Sequence, residues 1–419
     1  MIENKKKIID LIYSRTFIFI CGFILILSNC YLSEFKGVKE CVDIFVCIFC
    51  IFSLLVSLIT RKISFFSISV LIYCICIAIS TYLGQYSDME IFLKTYYKII
   101  AIVLYLDYGL RHYSKNVISS FYLVFYILTV INFYTIVRYP NGWYAGELFS
   151  NNWFFGYDNI HIVMYFPALM FMWLNTKMNN KKMGAKEYIL IAIISYCVYF
   201  CFSANSVVAF TVFLIYLGFY KYINRSKRLN VKTYTYIFIA IFVGIVLLRL
   251  QNLFSWLIVD ILGKNLTFTG RTKIWDEVIK YIKLNWITGY GQEDTAIIGS
   301  KLGHRAFTHA HNTILDVLYK GGVLSCIPFL GMFIMPIVKL YKNKEDEISK
   351  MLSLVMLCFY IMMNFEARQE KLGLYIVLVT CYNVVNIITN AMATNKDDLS
   401  EKNKKDIEYM KERHQNGQS

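Results

Sequence analysis

Apolar residues run in long blocks along this chain, separated by short polar loops and by one long polar interruption. Blocks of membrane-spanning length fall near 13–32, 41–59, 63–83, 91–110, 117–137, 160–175, 187–203, 206–222, 233–250, 312–338, 350–363 and 372–390. One crossing of the hydrocarbon takes about 20 mostly apolar residues, so the pattern predicts an all-α polytopic membrane protein with about twelve transmembrane helices. Backbone groups in lipid must be satisfied within their own segment, and the alternation expected of a transmembrane barrel is absent, which selects helices over strands. Two segments break the rhythm of short loops. The first, 138–159, is rich in aromatic and amide side chains; the second, 251–311, is long enough that a function is expected of it. Within it, 271–286 reads as an amphipathic helix, with Ile274, Trp275, Val278, Ile279 and Ile282 on one stripe and Lys273, Asp276, Glu277, Lys280 and Lys283 mainly on the other. Such a helix would lie along the outer membrane surface with Trp275 and Trp286 at headgroup depth. Gly289-Tyr290-Gly291 ends it, and a further helix is expected to start near Asn312 and pause at Gly321-Gly322.

Composition agrees with a bilayer. Apolar residues make up 57% of the 419 residues and charged ones 17%, too few to coat a soluble protein of this size. The basic residues set the orientation. Lys5, Lys6, Lys7 and Arg15 precede the first span, Arg61 and Lys62 follow the second, and Arg111 and Lys115 the fourth. Lys177, Lys181, Lys182 and Lys186 follow the sixth, Lys221, Arg225, Lys227, Arg228 and Lys232 the eighth, and Lys339, Lys342, Lys344 and Lys350 the tenth. Every second short loop is therefore basic, which predicts both termini in the cytoplasm. The net charge of +15 is dispersed among these loops rather than gathered on one face, which argues against nucleic acid as a partner. The twelve Cys lie in or beside spans without metal-site spacing and read as packing residues. Residues 1–390 form one membrane domain, the basic N-terminus lacks a small-residue cleavage site and reads as retained, and 391–419 reads as a charged cytoplasmic tail.

Gly270-Arg271-x-x-x-Trp275, then Thr288-Gly289-Tyr290-Gly291, then His311-Asn312-x-x-Leu315 with Gly321-Gly322, resembles the signature of the O-antigen ligase and Wzy-type polymerase superfamily, in order, spacing and placement in a large external loop. The motifs cover roughly 200–340 and the topology the whole chain. One departure stands out: where many members carry an Arg after the Ser near the end of the span before Val207, this chain has Ser203-Ala204-Asn205-Ser206. The resemblance implies a GT-C-like membrane glycosyltransferase of the bacterial inner membrane. Its donor would be a glycan on undecaprenyl diphosphate, with the lipid bilayer and a chain-length regulator as further partners and no cofactor.

Such a transfer needs fixed cations for the departing diphosphate and a group to take the acceptor proton. Arg271 is the first choice for the diphosphate, since a guanidinium fork matches phosphate oxygens and the N-terminus of the following helix favours an anion. His311 is the choice for activating the acceptor hydroxyl or for bonding the donor phosphate; the sequence leaves both open. Arg305, Lys98, Lys94 and Arg249 are further diphosphate candidates, although headgroup contacts and snorkelling explain such residues equally well for Lys94 and Arg249. Arg138, at the start of the first outer loop, is a further candidate to reach the diphosphate. Trp143, Trp153, Tyr157, Asn159 and Asn312 are candidates for the glycan, against an interfacial aromatic belt as the plain alternative for the rings. His161 reads as a helix-packing hydrogen bond. His304, His309 and His311 lack the i, i+4 spacing of a helical metal site, so no metal is expected. A polysaccharide polymerase is favoured. An O-antigen ligase is the nearest rival, and a lipid-linked oligosaccharide flippase the rival from another class, for which no half-to-half similarity is visible.

Overall fold

Each of the twelve apolar blocks coincides with a helix or a bent pair of helices in the computed structural model, which describes residues 2–32, 35–60, 62–145, 151–223, 225–250, 253, 255–256, 270–303 and 307–393. The helices are α1 (Ile2–Ile12), α2 (Arg15–Leu27), α3 (Lys36–Thr60), α4 (Phe65–Leu83), α5 (Met89–His112), α6 (Ser114–Arg138), α7 (Asp158–Met178) and α8 (Ala185–Cys201). They continue with α9 (Ala204–Gly218), α10 (Tyr220–Ile223), α11 (Val231–Ile241), α12 (Arg271–Leu284), α13 (Thr295–Lys301), α14 (Thr313–Lys342), α15 (Glu347–Phe365) and α16 (Leu372–Tyr382). Side chains of Ser14, Ser64, Asp88, Asn230 and Asp346 accept backbone N–H bonds at the starts of α2, α4, α5, α11 and α15, each stabilising its helix by about 1 kcal/mol.

By length and composition, five of the described helices can cross a membrane: α3, α4, α6, α14 and α15. The number rises to seven if the bent pairs at Ile12–Arg15 and Tyr382–Val384 each count as one span. The twelve spans expected from hydropathy are thus more than this test admits, for two physical reasons. α8 has 17 residues, α9 has 15, and α11 passes into a π-helical stretch at Phe242–Leu247. α5 and α7 are long enough but dilute their apolar residues with polar ones, such as Lys94, Lys98 and Asp107 on α5 and Asn159, His161 and Asn175 on α7.

The bundle has two unlike ends. At one, Lys177 at the end of α7 pairs with Glu347 at the start of α15, and Arg111 at the end of α5 donates to the Lys62 carbonyl and to Asp107. The opposite ends of the same helices, a rise of about 28 Å away along α15, carry Asp158, Phe365 and the start of α14. The motif segments gather at that second end, opposite the basic loops.

α12 is the amphipathic helix expected from the sequence, with Ile274, Trp275 and Val278 buried and Lys273, Asp276, Lys280 and Lys283 exposed. Its apolar stripe faces protein rather than the bilayer, however. Trp275 is fully buried with Val246, Ile298, Leu302, Ala310, Leu315 and Tyr319, because the π-helical stretch and α14 supply the apolar partner; Trp286 remains exposed.

The break in α14 at Gly321-Gly322 is also present. Gly322 adopts φ 58° and ψ −163°, a region open essentially to Gly alone. The break frees backbone groups that the 286–291 segment then uses: Val323 N–H donates to the Trp286 carbonyl at 2.9 Å, and Gly291 N–H to the Lys320 carbonyl at 2.7 Å. A Cβ at Gly322 would lie 2.2 Å from the Ile287 carbonyl oxygen. Gly322→Ala is therefore expected to destabilise the protein by roughly 2 kcal/mol or more, read as a clear fall in the thermal unfolding midpoint. An unchanged midpoint would show that the 286–291 segment can move away without loss.

Candidate active site

The site is built on the start of α14 and on the loop 366–371 between α15 and α16. Asn312 caps α14 by accepting from Leu315 N–H at 3.0 Å and donates to the Asn364 carbonyl at 3.0 Å. Thr313 donates to the Glu366 carbonyl at 2.8 Å and accepts from Arg368 N–H at 3.1 Å. Asp316 accepts from Ala310 N–H on one oxygen and from the Gln369 amide on the other. These bonds fix the 309–311 turn against the 366–369 loop. They also hold His311 at φ 47°, a left-handed conformation costly for a side chain with a Cβ.

One carboxylate then joins the motif residues. Glu366 Oε2 accepts from Arg271 at 3.1 Å, while Oε1 accepts from His311 Nδ1 at 3.0 Å and from His309 Nε2. Glu366 is 4% exposed, whereas the side chains of Arg271 and His311 keep 21% and 20% of their surface, so cation and imidazole face outward from a buried anion. His309 Nδ1 meets the Thr308 hydroxyl at 2.8 Å, and its Nε2–H faces the Glu366 carboxylate, which can only accept when ionised. The bond from His311 Nδ1–H to Glu366 leaves the Nε2 lone pair of His311 without a hydrogen-bond partner among the described residues.

Electrostatics follow from this geometry. Burial pushes the His311 imidazole below its ordinary value, and His309 and Arg271 push the same way against the upward pull of Glu366. Burial would raise the Glu366 carboxyl, yet His309 and His311 outweigh it and hold the group well below the usual carboxylate range. At neutral pH the cluster therefore contains an ionised Glu366 and an uncharged, basic His311. The ligand atoms of His309, His311 and Glu366 lie within 4.8 Å of one another, a donor set that suits a transition metal such as zinc. Glu366 already accepts from His309 and His311 on one oxygen and from Arg271 on the other, so a cation bound to the carboxylate would have to displace existing bonds.

The other predicted residues divide. Arg249 stays near the cluster, donating to Asp276 at 2.5 Å and to the Thr272 carbonyl on the first turns of α12, with its guanidinium 5.0 Å from the Trp275 ring centre. Lys94 is exposed and paired with Glu90, and Lys98 is held by Asp43 at 3.0 Å and the Ser28 carbonyl at 2.9 Å. Both lysines are committed to α3, α5 and the end of α2 rather than joined to Arg271. Arg305 and His304 lie outside the described residues. Residues 151–159 form a small antiparallel hairpin, Asn152–Trp153 with Gly156–Tyr157, seated on α6 through Phe154 and Phe155 N–H bonds to Thr135 and Asn132. Trp153 is buried there, its indole N–H donating to the Tyr139 carbonyl, so its ring packs inside the fold. Trp143 is half-buried against Phe35 and Tyr139. The Asn312 amide is fully buried and committed to the cap and to Asn364. Tyr157 and Asn159 do reach the site: Tyr157 lies in the fields of Asp158, Glu366 and Arg271, and the Asn159 carbonyl accepts from Arg368 at 2.9 Å. His161 bonds the Gly156 carbonyl at 2.8 Å, in the hairpin that precedes α7 rather than across a helix pair.

Sequence reasoning missed Glu366 and Arg368. A signal existed: Glu366, Arg368, Glu370 and Lys371 crowd six positions between two apolar blocks, with both signs present, unlike the basic loops elsewhere. The same loop extends the polar seam inward. Lys320, on α14, lies between Asp316 at 3.1 Å and Glu370, and Glu370 also accepts from Gln292 at 2.7 Å.

A helical membrane protein with a guanidinium, a carboxylate and two imidazoles at one end of its bundle defines the class. Residues 189–330 match the family described as O-antigen ligase, a stretch that runs from α8 into α14 and contains both Arg271 and His311. That match supports the O-antigen ligase and Wzy superfamily resemblance carried by the motifs, and with it a membrane glycosyl-transfer enzyme. Among curated proteins none matches the chain. Glu366 and Arg368 lie beyond the matched stretch.

Proposed function

We propose that the protein is a polysaccharide polymerase that moves a growing glycan from undecaprenyl diphosphate onto a lipid-linked repeat unit at the outer leaflet of the bacterial inner membrane. The observation that carries this reading is the joining of Arg271 and His311 through the two oxygens of Glu366. The acceptor hydroxyl attacks the anomeric carbon, a new C–O bond forms, and the bond from that carbon to the diphosphate oxygen breaks. The electron pair stays on the diphosphate, where Arg271 meets the growing charge. The acceptor proton passes to His311 Nε2, which is free because Glu366 holds Nδ1–H. Tyr157 and Asn159 border the site and supply polar groups for sugar hydroxyls. Placement of the cluster at the end of the bundle opposite the basic loops supports an outer-leaflet site under the positive-inside rule.

A ligase that transfers a finished glycan to another acceptor is the second reading, favoured by the description of the family that matches residues 189–330. The purified chain in lipid nanodiscs, given a defined diphosphate-linked repeat unit, separates the two. A polymerase yields a ladder of chain lengths with release of lipid diphosphate. A ligase yields one transfer, and only when a second acceptor is added. No release under either condition overturns both.

A further inference from the structure

We infer that Arg368, from the loop between α15 and α16, is a second diphosphate-binding residue that acts beside Arg271. This deepens the proposed function and rests on the diphosphate reading of the site. Arg368 is 1% exposed, among the most deeply buried large side chains described. Its Nη2 donates to the Asn159 carbonyl, but its Nε–H is buried with no acceptor among the described residues. A buried charged donor left without a partner is destabilising, so stability alone does not favour a guanidinium there.

The surroundings are those of an anion site. Arg368 lies in the fields of Glu366, Arg271 and Asp158, and burial lowers the guanidinium to about 10, still charged at neutral pH. Asp158, pushed up by burial to about 6, accepts from the Asn159 N–H at the start of α7. Glu366 is the ion-pair partner of Arg271, and among the described residues no carboxylate lies within ion-pairing distance of Arg368. A diphosphate carries enough oxygens to replace Glu366 on Arg271 and to supply at once the acceptor that Arg368 Nε–H lacks. Asn159, which receives Arg368 on its carbonyl, receives Ser203 on its side-chain oxygen, so Asn159 links the guanidinium to the 203–206 segment, which carries no charge of its own.

Binding of inorganic pyrophosphate to the full chain in nanodiscs tests this, with thermal unfolding measured on each variant. Arg368→Gln is expected to weaken binding about 10-fold or more, and Arg368→Lys, which keeps the charge and loses the fork, about 3–10-fold. Lys177→Ala, at the opposite end of the bundle, should bind like the wild type. If Arg271→Ala weakens binding while a folded Arg368 variant binds as tightly as the wild type, the Arg368 inference is wrong and the diphosphate site stands. Should Arg368→Gln not fold, Arg368→Lys decides alone by the same criterion. If the wild type binds no pyrophosphate, or Arg271→Ala has no effect, the diphosphate reading falls and Arg368 falls with it.

Discussion

Replacing His311 by Ala is expected to lower the rate of lipid-diphosphate release by about 10²–10⁴-fold, the contribution of a well-placed general base. Arg271→Ala should cost about 10²–10³-fold for loss of charge stabilisation on the leaving group. The two need not multiply, since both side chains bond the same carboxylate and each removal disturbs the other. His311 also sits at φ 47°, so part of any effect of Ala there is backbone strain. His311→Asn separates the terms, because Asn tolerates the left-handed region while lacking the imidazole. Both His311 variants should lose turnover to a similar extent, and Asn should keep the wild-type unfolding midpoint more closely. Near-wild-type release by a folded His311→Asn variant would remove His311 from the chemistry.

Much of the architecture was legible because a bilayer imposes one strong constraint. Every apolar block became a helix or a bent pair, and the 271–286 stripe and the pause at Gly321-Gly322 appeared where spacing placed them. What periodicity does not carry is the identity of the partner. The stripe of α12 looked suited to lipid, but Trp275 found Leu315 and Tyr319 instead, since an apolar face is satisfied equally by lipid or protein. Lys98 looked like a cation turned to a cavity, but Asp43 and the Ser28 carbonyl claim it, and nothing in local sequence announces a contact between residues 98 and 43. Arg271 and His311 were legible because each sits in a motif. Glu366 was not, because its role depends on a turn some 50 residues away being stitched to it through Asn312, Thr313 and Asp316. A charged loop between two spans reads as a solvated connection until those bonds are seen.

Glu366→Gln gives the second large effect, and it separates a positioning role from a merely structural one by its direction in two measurements. The acceptor proton can pass only to neutral His311, so the rate rises with pH through the His311 pKa and is level above it. Burial, His309 and Arg271 hold that pKa below 6.5, so the acid limb of the wild type should fall at lower pH than for an ordinary histidine. Glu366 is the group that pulls the value upward. Removing its charge therefore moves the acid limb to still lower pH, while the level rate drops by about 10²-fold or more, because a less basic imidazole no longer held in the Nε2-accepting tautomer is a poorer proton acceptor. Donor affinity should change in the opposite sense. Glu366 Oε2 competes for Arg271 in the ligand-free site, so the neutral amide frees the guanidinium and pyrophosphate should bind as tightly as before or more so. A fall in kcat with unchanged or tighter donor binding is the expected pattern. Weaker binding together with an unshifted acid limb would mean that Glu366 only holds the loop, and that the proton goes elsewhere than His311.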